Sequence, residues 1–230
     1  MKIKAILSQT FLSKKPLNDG ALTTLIFTFL LILSTVIFNT NQINAYHWMP
    51  ASFESVYHQK EYWRLWTALF AHEGVEHLGW NLLFFVPFSF YLISYFGYFF
   101  FPIFGFLMGG IINALVVLTL PPDTTLIGIS GLVYWMWSSW VILFVFIERR
   151  QTLKKRIFIA LGVSLILFFP ETYKPSTSYL SHFLGYLFGM LSGALFYFFK
   201  RQKFLASESW DLKLEENFDS FMEGEEVTPP

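Results

Sequence analysis

The sequence contains no cysteine and few charged residues. Without cysteine among its 230 residues, the chain can form neither disulfides nor thiolate metal sites, and it has no cysteine nucleophile. Only 14% of the residues are charged, whereas 54% are hydrophobic and 21% are aromatic. This composition is too apolar for an ordinary soluble domain, and it predicts a protein embedded in a membrane.

The net charge of zero combines two opposite biases along the chain. The last 26 residues contain eight acidic residues and one lysine, so the rest of the chain is basic. The basic residues form short clusters between apolar runs and do not line one soluble face. We therefore expect the lipid bilayer, and not a nucleic acid, to be a partner.

Six apolar stretches approach the length of about 20 residues that a helix needs to cross the hydrocarbon core. The uncharged region 78–118 is long enough for two spans with a turn near Gly97. The other stretches are 21–38, 130–147, 157–169 and 180–199, of which 157–169 is the shortest. The sequence predicts an all-α membrane protein with a basic N-terminus (1–20), a six-helix membrane domain (21–199) and an acidic tail (200–230).

Lysine and arginine cluster before the first span, after the fourth and after the sixth. Short cytoplasmic loops carry an excess of these residues. The three clusters share one side of the membrane only if all six spans exist, so we expect both termini to be cytoplasmic. The loops at 39–76, 119–129 and 170–179 then face outward.

The acidic tail contains apolar residues at helical spacing. This stripe starts after Ser209 and predicts an amphipathic cytoplasmic helix, with a disordered tail as the alternative. Its members are Trp210, Leu214, Phe218, Phe221 and Met222.

Two polar residues lie four apart where the second span begins. His77 and Asn81 share one helix face, so both side chains can donate hydrogen bonds in the same direction. Taken alone, such a pair more often joins two membrane helices. His72 precedes His77 by five residues, which is poor ligand spacing on a helix, so we expect no metal site and no cofactor.

The fourth span opens with Gly128, Ile129, Ser130 and Gly131. Glycines on both sides of a serine allow a tight turn that exposes the hydroxyl at a helix start and leaves nearby amides unpaired. Such amides can bind an oxyanion. The alternative is a serine that caps the helix between turn glycines.

The sixth span carries glycine at every fourth position after His182. Gly185, Gly189 and Gly193 form a stripe of small residues that permits very close packing against another helix. If that helix is the fourth, His182 meets Ser130.

Together, these three motifs resemble the rhomboid intramembrane proteases over about residues 60–199. Their order and their spacing of about fifty residues are far more specific than any one of them. Smaller features agree, including Trp63 and Arg64 in the first outward loop and Tyr134 one turn after Ser130. The resemblance implies a six-helix rhomboid bundle in the bacterial inner (plasma) membrane.

The resemblance also implies roles for these residues. Ser130 would be the nucleophile and His182 its base, in a dyad without an acid. Tyr134 would pack against the histidine ring. His77, Asn81 and the Ser130 amide would form the oxyanion hole. The substrates implied are single-pass membrane proteins that are cut near their outward boundary.

One departure leaves the subfamily open. Many rhomboids carry a Glu-x-Arg pair after the second span, whereas residues 87–101 carry no charge here. The chain could be a housekeeping protease or a sorting-type rhomboid that processes C-terminal anchors. A non-catalytic rhomboid-like protein that binds membrane helices is a further alternative, and a transporter is disfavoured because the polar groups lie at the outward span ends.

Overall fold

The protein is mostly helical in a computed structural model that describes residues 2–168 and 178–215. Four long helices and several shorter ones follow one another along the chain, joined by short 3-10 and π-helical segments. The helices are α1 (Ala21–Asn39), α2 (Ala45–Trp48), α3 (Arg64–Thr67), α4 (Gly74–Phe96), α5 (Gly105–Val117), α6 (Ser130–Ile147), α7 (Leu153–Phe168) and α8 (Tyr179–Ala206). The 3-10 segments are Phe11–Ser13, Gln42–Asn44 and Ala68–Phe70, and the π-helical segments are Glu54–His58 and Phe99–Phe104.

Five helical segments in the described ranges are long and apolar enough to cross a membrane. They are α1, α4, α6, α8 and the continuous segment Phe99–Val117, which includes α5. The predicted turn near Gly97 is confirmed, because Gly97 ends α4 with a φ of 88° that favours glycine. The remaining predicted span, 157–169, falls on α7, which has 16 residues and is not one of the five.

The prediction that the protein is all-α is wrong at its two ends. Strand β1 (Lys2–Gln9) pairs antiparallel with strand β2 (Ser209–Glu215). The predicted tail helix is therefore replaced by a strand where it should begin, and Phe218, Phe221 and Met222 lie outside the described residues. The physical reason is that Trp210, Leu212 and Leu214 also alternate at the two-residue period of a strand, which β1 stabilises by antiparallel pairing that is irregular only between Leu7 and Gln9.

Helix α6 lies at the centre of the bundle. It packs against α4, α5, α7 and α8, and its side chains from Gly131 to Ser139 are buried without interruption. Such a helix is hydrophobic all round because every face meets another helix. Its first residue, Ser130, lies at the end of this buried stretch.

The segment before α1 and the residues that follow α8 meet the turn between α6 and α7 on one face, which we call the terminal face. Here the buried Thr10 hydroxyl donates to Glu148, 3.1 Å away, and Arg150 makes two hydrogen bonds to the same carboxylate. Arg149 pairs with Glu208, beyond α8, at 3.0 Å. The N-terminal segment, the turn at 148–152 and the end of α8 are thus joined by charged and polar contacts.

The opposite face, which we call the loop face, carries residues 40–73 and 119–129. These two loops are joined by a backbone bridge between Ala51 and Leu126, with N–O distances of 3.1 and 2.7 Å. The Gly128 amide also donates to the Ala68 carbonyl at 2.8 Å. The first loop therefore supports the segment that leads into Ser130.

Candidate active site

Ser130 is the first residue of α6 and is half-buried on the loop face. Gly128 has a φ of 104°, a conformation that residues with a Cβ rarely adopt, and it turns the chain sharply into the helix. The tight turn that the glycines of the Gly-x-Ser-Gly motif predict is thus present. The Gly128 and Ile129 amides of this turn are themselves paired, with the Ala68 carbonyl and with His72 Nε2.

The turn before Ser130 is held by His72. The Ile129 amide donates to His72 Nε2 at 3.3 Å, and His72 Nδ1 lies 3.2 Å from the Thr35 hydroxyl of α1. Because Nε2 accepts, the proton of the neutral ring is on Nδ1 and can be donated to Thr35. His72 thereby connects α1 to the turn that orients the serine.

Burial keeps the His72 ring uncharged. The side chain is fully buried, and this desolvation, followed by the nearby His77, lowers the pKa of His72 from 6.5 to about 3. A charged ring would have a proton on both nitrogens and could not accept the Ile129 amide. Neutral His72 is thus a structural requirement of the turn.

His77 lies between His72 and Gly128. Its ring meets that of His72 edge to face, with centroids 5.1 Å apart. A Cβ built on Gly128 would come within 2.9 to 3.0 Å of the His77 ring, so the backbone approaches that ring as closely as only glycine allows. His77 is therefore in contact with the turn that precedes Ser130.

Asn81 is buried one helical turn below His77 on α4. Its Nδ2 atom donates to the His77 carbonyl at 3.1 Å. An amide nitrogen carries two N–H groups, so one of them is used within the helix and the second remains for another acceptor.

The glycine stripe of α8 packs directly on α6. A Cβ on Gly185 would lie 2.1 Å from the Gly131 carbonyl oxygen, and one on Gly189 would lie 2.3 Å from the Trp135 carbonyl oxygen. Such distances leave no room for a methyl group, so the two backbones are in contact along the stripe. In the other direction, a Cβ on Gly131 would lie 2.3 Å from the Ser181 hydroxyl.

His182 is carried by this contact to the Ser130 end of α6. Its buried imidazole ring stacks on the phenol ring of Tyr134, with centroids 4.2 Å apart and planes inclined by 11°. Tyr179 meets the same imidazole from its edge, at 6.2 Å. The orientation of the ring is thus fixed by two aromatic neighbours.

The structure places His77, Tyr134 and His182 around the start of α6, whereas the Asn81 side chain donates within α4 and Gly189 packs further along α6, against Trp135. His77 contacts Gly128, and Gly185 contacts Gly131, one on each side of Ser130 along the chain. Three contributors were missed: Thr35, the Ile129 amide and Ser181. Only Ser181 could have been found from the sequence, because it neighbours His182. Thr35 could not, because it acts through His72, which is 37 positions away in the chain.

Comparison with known protein families assigns most of the chain to a family. Residues 59–199, well over half of the chain, match the family model described as the Rhomboid domain. No curated protein matches the sequence. The matched range begins in the first loop and ends in α8, so it includes all the residues of the candidate site except Thr35.

Proposed function

The chain belongs to the rhomboid family, and we propose that it is an intramembrane serine endopeptidase that uses Ser130 as nucleophile and His182 as base. The observation that carries the proposal is the contact between Gly185 and Gly131. It joins the helix of His182 to the helix of Ser130 within one turn of each residue.

The reaction follows from ordinary acyl-transfer chemistry. Ser130 Oγ attacks the carbonyl carbon of the scissile peptide bond while His182 takes the hydroxyl proton, and the same proton then passes to the leaving amine. Water, deprotonated by His182, hydrolyses the acyl-enzyme and restores the serine. No acid is needed to orient the base where Tyr134 and Tyr179 hold the imidazole ring, because orientation is a large part of what the third member of a triad supplies.

The oxyanion that forms during attack needs donors that are already oriented. We assign this role to the Ser130 amide, the second N–H of Asn81 and the ring of His77, which contacts the turn at Gly128. Donors fixed in advance stabilise the developing charge without reorganisation during the reaction.

A six-span topology with both termini in the cytoplasm completes the proposal. Strands β1 and β2 are hydrogen-bonded, so the segments before α1 and after α8 lie on the same side of the membrane. An even number of crossings is therefore needed, and α7 is the helix available to add a sixth to the five long ones. The basic residues of the terminal face then follow the positive-inside rule, and Ser130 lies near the outward surface.

The substrates we propose are single-pass membrane proteins cut near their outward boundary, with small side chains at the cut. The proposed substrate class rests on family membership alone. It includes the C-terminal anchors that a sorting-type rhomboid would process.

The test is labelling of the full chain in membranes with a serine-directed fluorophosphonate. Wild type should be labelled and Ser130→Ala should not. Ser138→Ala is the matched control, because it removes a hydroxyl two turns further along α6 that bonds to the Trp135 carbonyl, and it should be labelled as wild type is. Labelling that persists in Ser130→Ala would refute the nucleophile, and unlabelled wild type would favour a non-catalytic helix-binding protein.

A further inference from the structure

A cavity of about 230 Å³ opens on the terminal face, far from Ser130. It lies between the segment that precedes α1, the end of α4 and the end of α8. Its lining consists of Phe11, Lys14, Lys15, Leu17, Tyr95, Lys203 and Ser207.

The rim of this cavity is cationic. Three of the seven lining residues are lysines, and none is acidic. Within the described part of the chain, none of the three lysines belongs to an ion pair. Glu208, the acid next to Ser207, is held by Arg149 at 3.0 Å.

The floor of the cavity is apolar and closely packed. The buried ring of Phe11 packs edge-on against Phe204, with centroids 5.0 Å apart, and Lys203 Nζ lies 5.6 Å from the centroid of the Phe11 ring. The Tyr95 hydroxyl donates to the Lys14 carbonyl at 3.4 Å, which ties the rim to α4. Leu17 leaves most of its side chain exposed beside this floor.

We propose that this cavity binds an anionic glycerophospholipid of the adjacent leaflet, with its phosphate between Lys14, Lys15 and Lys203. The segment that lines it runs directly into the membrane span α1, so the cavity lies at the level where headgroups meet acyl chains. Basic pockets beside membrane helices on the cytoplasmic side have the chemistry that recognises lipid phosphate. The apolar floor suits the glycerol and first methylene groups of a lipid.

A lipid fits better than the acidic tail of the same chain. Ser207 lines the cavity, but the residues from Ser209 to Glu215 form β2 and are paired with β1. The acidic residues that follow are therefore separated from the cavity by the seven residues of this strand.

The test counts lipids bound to the purified full chain by native mass spectrometry, with phosphatidylglycerol or phosphatidylcholine of the same acyl chains. Wild type should bind one phosphatidylglycerol in clear preference to phosphatidylcholine. The variant Lys14→Gln/Lys15→Gln/Lys203→Gln should bind phosphatidylglycerol roughly a hundredfold more weakly, since each basic residue near an anionic surface contributes about a factor of five.

The matched control is Lys154→Gln/Lys155→Gln/Lys200→Gln, which removes the same charge from exposed lysines that do not line the cavity. It should bind as wild type does. Lys203→Arg, which keeps the cation, should also bind, and thermal unfolding of every variant checks that the fold is kept.

Four results would overturn the proposal. The first is equal affinity for the two lipids. The second is unchanged affinity in the cavity variant. The third is equally tight binding of soluble glycerol 3-phosphate, which would make this a site for free phosphate. The fourth is phosphatidylglycerol binding that appears only when the chain is truncated after Glu215, which would make the acidic tail the occupant. None of these measurements depends on proteolysis, so the lipid site and the proposed protease activity can fail separately.

Discussion

The imidazole of His182 lies flat on the phenol ring of Tyr134, with ring centroids 4.2 Å apart and planes 11° from parallel. This stack joins α8 to α6 next to the Gly131 and Gly185 contact. The two helices thereby fix both the position of the imidazole and the direction of its plane.

The stack predicts different effects for two substitutions of Tyr134. Tyr134→Phe keeps the ring and should label with fluorophosphonate at a rate close to that of wild type. Tyr134→Leu removes the aromatic face and should slow labelling by about fivefold, since an aromatic pair contributes about 1 kcal/mol beyond burial. Equal rates for the two variants would show that the stack does not orient the base.

The close contact of α6 and α8 predicts that Gly185→Ala is damaging. The new methyl group would meet the Gly131 carbonyl oxygen at 2.1 Å, and the helices would have to separate. We expect a loss of about 1 to 3 kcal/mol in the free energy of unfolding in detergent, together with loss of labelling. Gly162→Ala on α7 is the control, because a Cβ there meets nothing within 4 Å and should leave stability unchanged or slightly higher. A Gly185→Ala variant as stable as the control would contradict the contact.

The neutral His72 ring predicts a pH dependence of stability. Its folded-state pKa, about 3, lies below the ordinary 6.5, so the unfolded chain binds the proton first as the pH falls. Its contribution to stability is complete above pH 6.5 and is lost between pH 6.5 and 3, at up to about 1 kcal/mol per pH unit. Thermal unfolding from pH 7 to pH 4 should therefore show a steeper fall for wild type than for His72→Gln, which cannot titrate. Parallel curves would mean that His72 is not buried as a neutral ring.

Asn81 is predicted to act on the rate and not on the fold. Asn81→Ala should lower substrate cleavage by about 10²-fold, less if His77 and the Ser130 amide compensate, because one oxyanion donor is lost. The Asn81 side chain donates within its own helix, to the His77 carbonyl, so the unfolding temperature should change little. An unchanged rate would reduce Asn81 to a packing residue.

The absence of cysteine allows a direct test of the six-span topology. Asp123, Thr152 and Gln202 are exposed, and each can be replaced singly by cysteine in an otherwise thiol-free chain. An impermeant maleimide added to intact cells should label Asp123→Cys, and the other two variants only after permeabilisation. If Thr152→Cys and Gln202→Cys are reached from opposite sides, α7 does not cross the membrane.

Much of the helical framework could be predicted because hydropathy is a local property. The α6 bounds Ser130–Ile147 coincide with the predicted stretch, and the turn at Gly97 was expected near the middle of a long uncharged region. The packing of α8 could also be predicted from its glycine stripe, because three glycines four residues apart indicate close contact with a neighbouring backbone.

The rest depends on partners that are distant in the chain. The role of His72 follows from Thr35 on one side and the Ile129 amide on the other, and neither pairing has a sequence period. The tail was interpreted as helical because Trp210 and Leu214 fit both periods. Only pairing with β1, some 200 residues earlier, selects the strand.

That pairing also sets an order of events during synthesis. The Ser8 hydroxyl donates to the Ser209 carbonyl across 201 positions. Because β1 precedes α1 and β2 follows α8, β1 leaves the ribosome before these eight helices and β2 leaves after them. Through the insertion of every span, β1 is a strand edge without its partner, which is a form prone to wrong pairing. Formation of the two-stranded sheet is thus a late event that can occur only after α8 has been made.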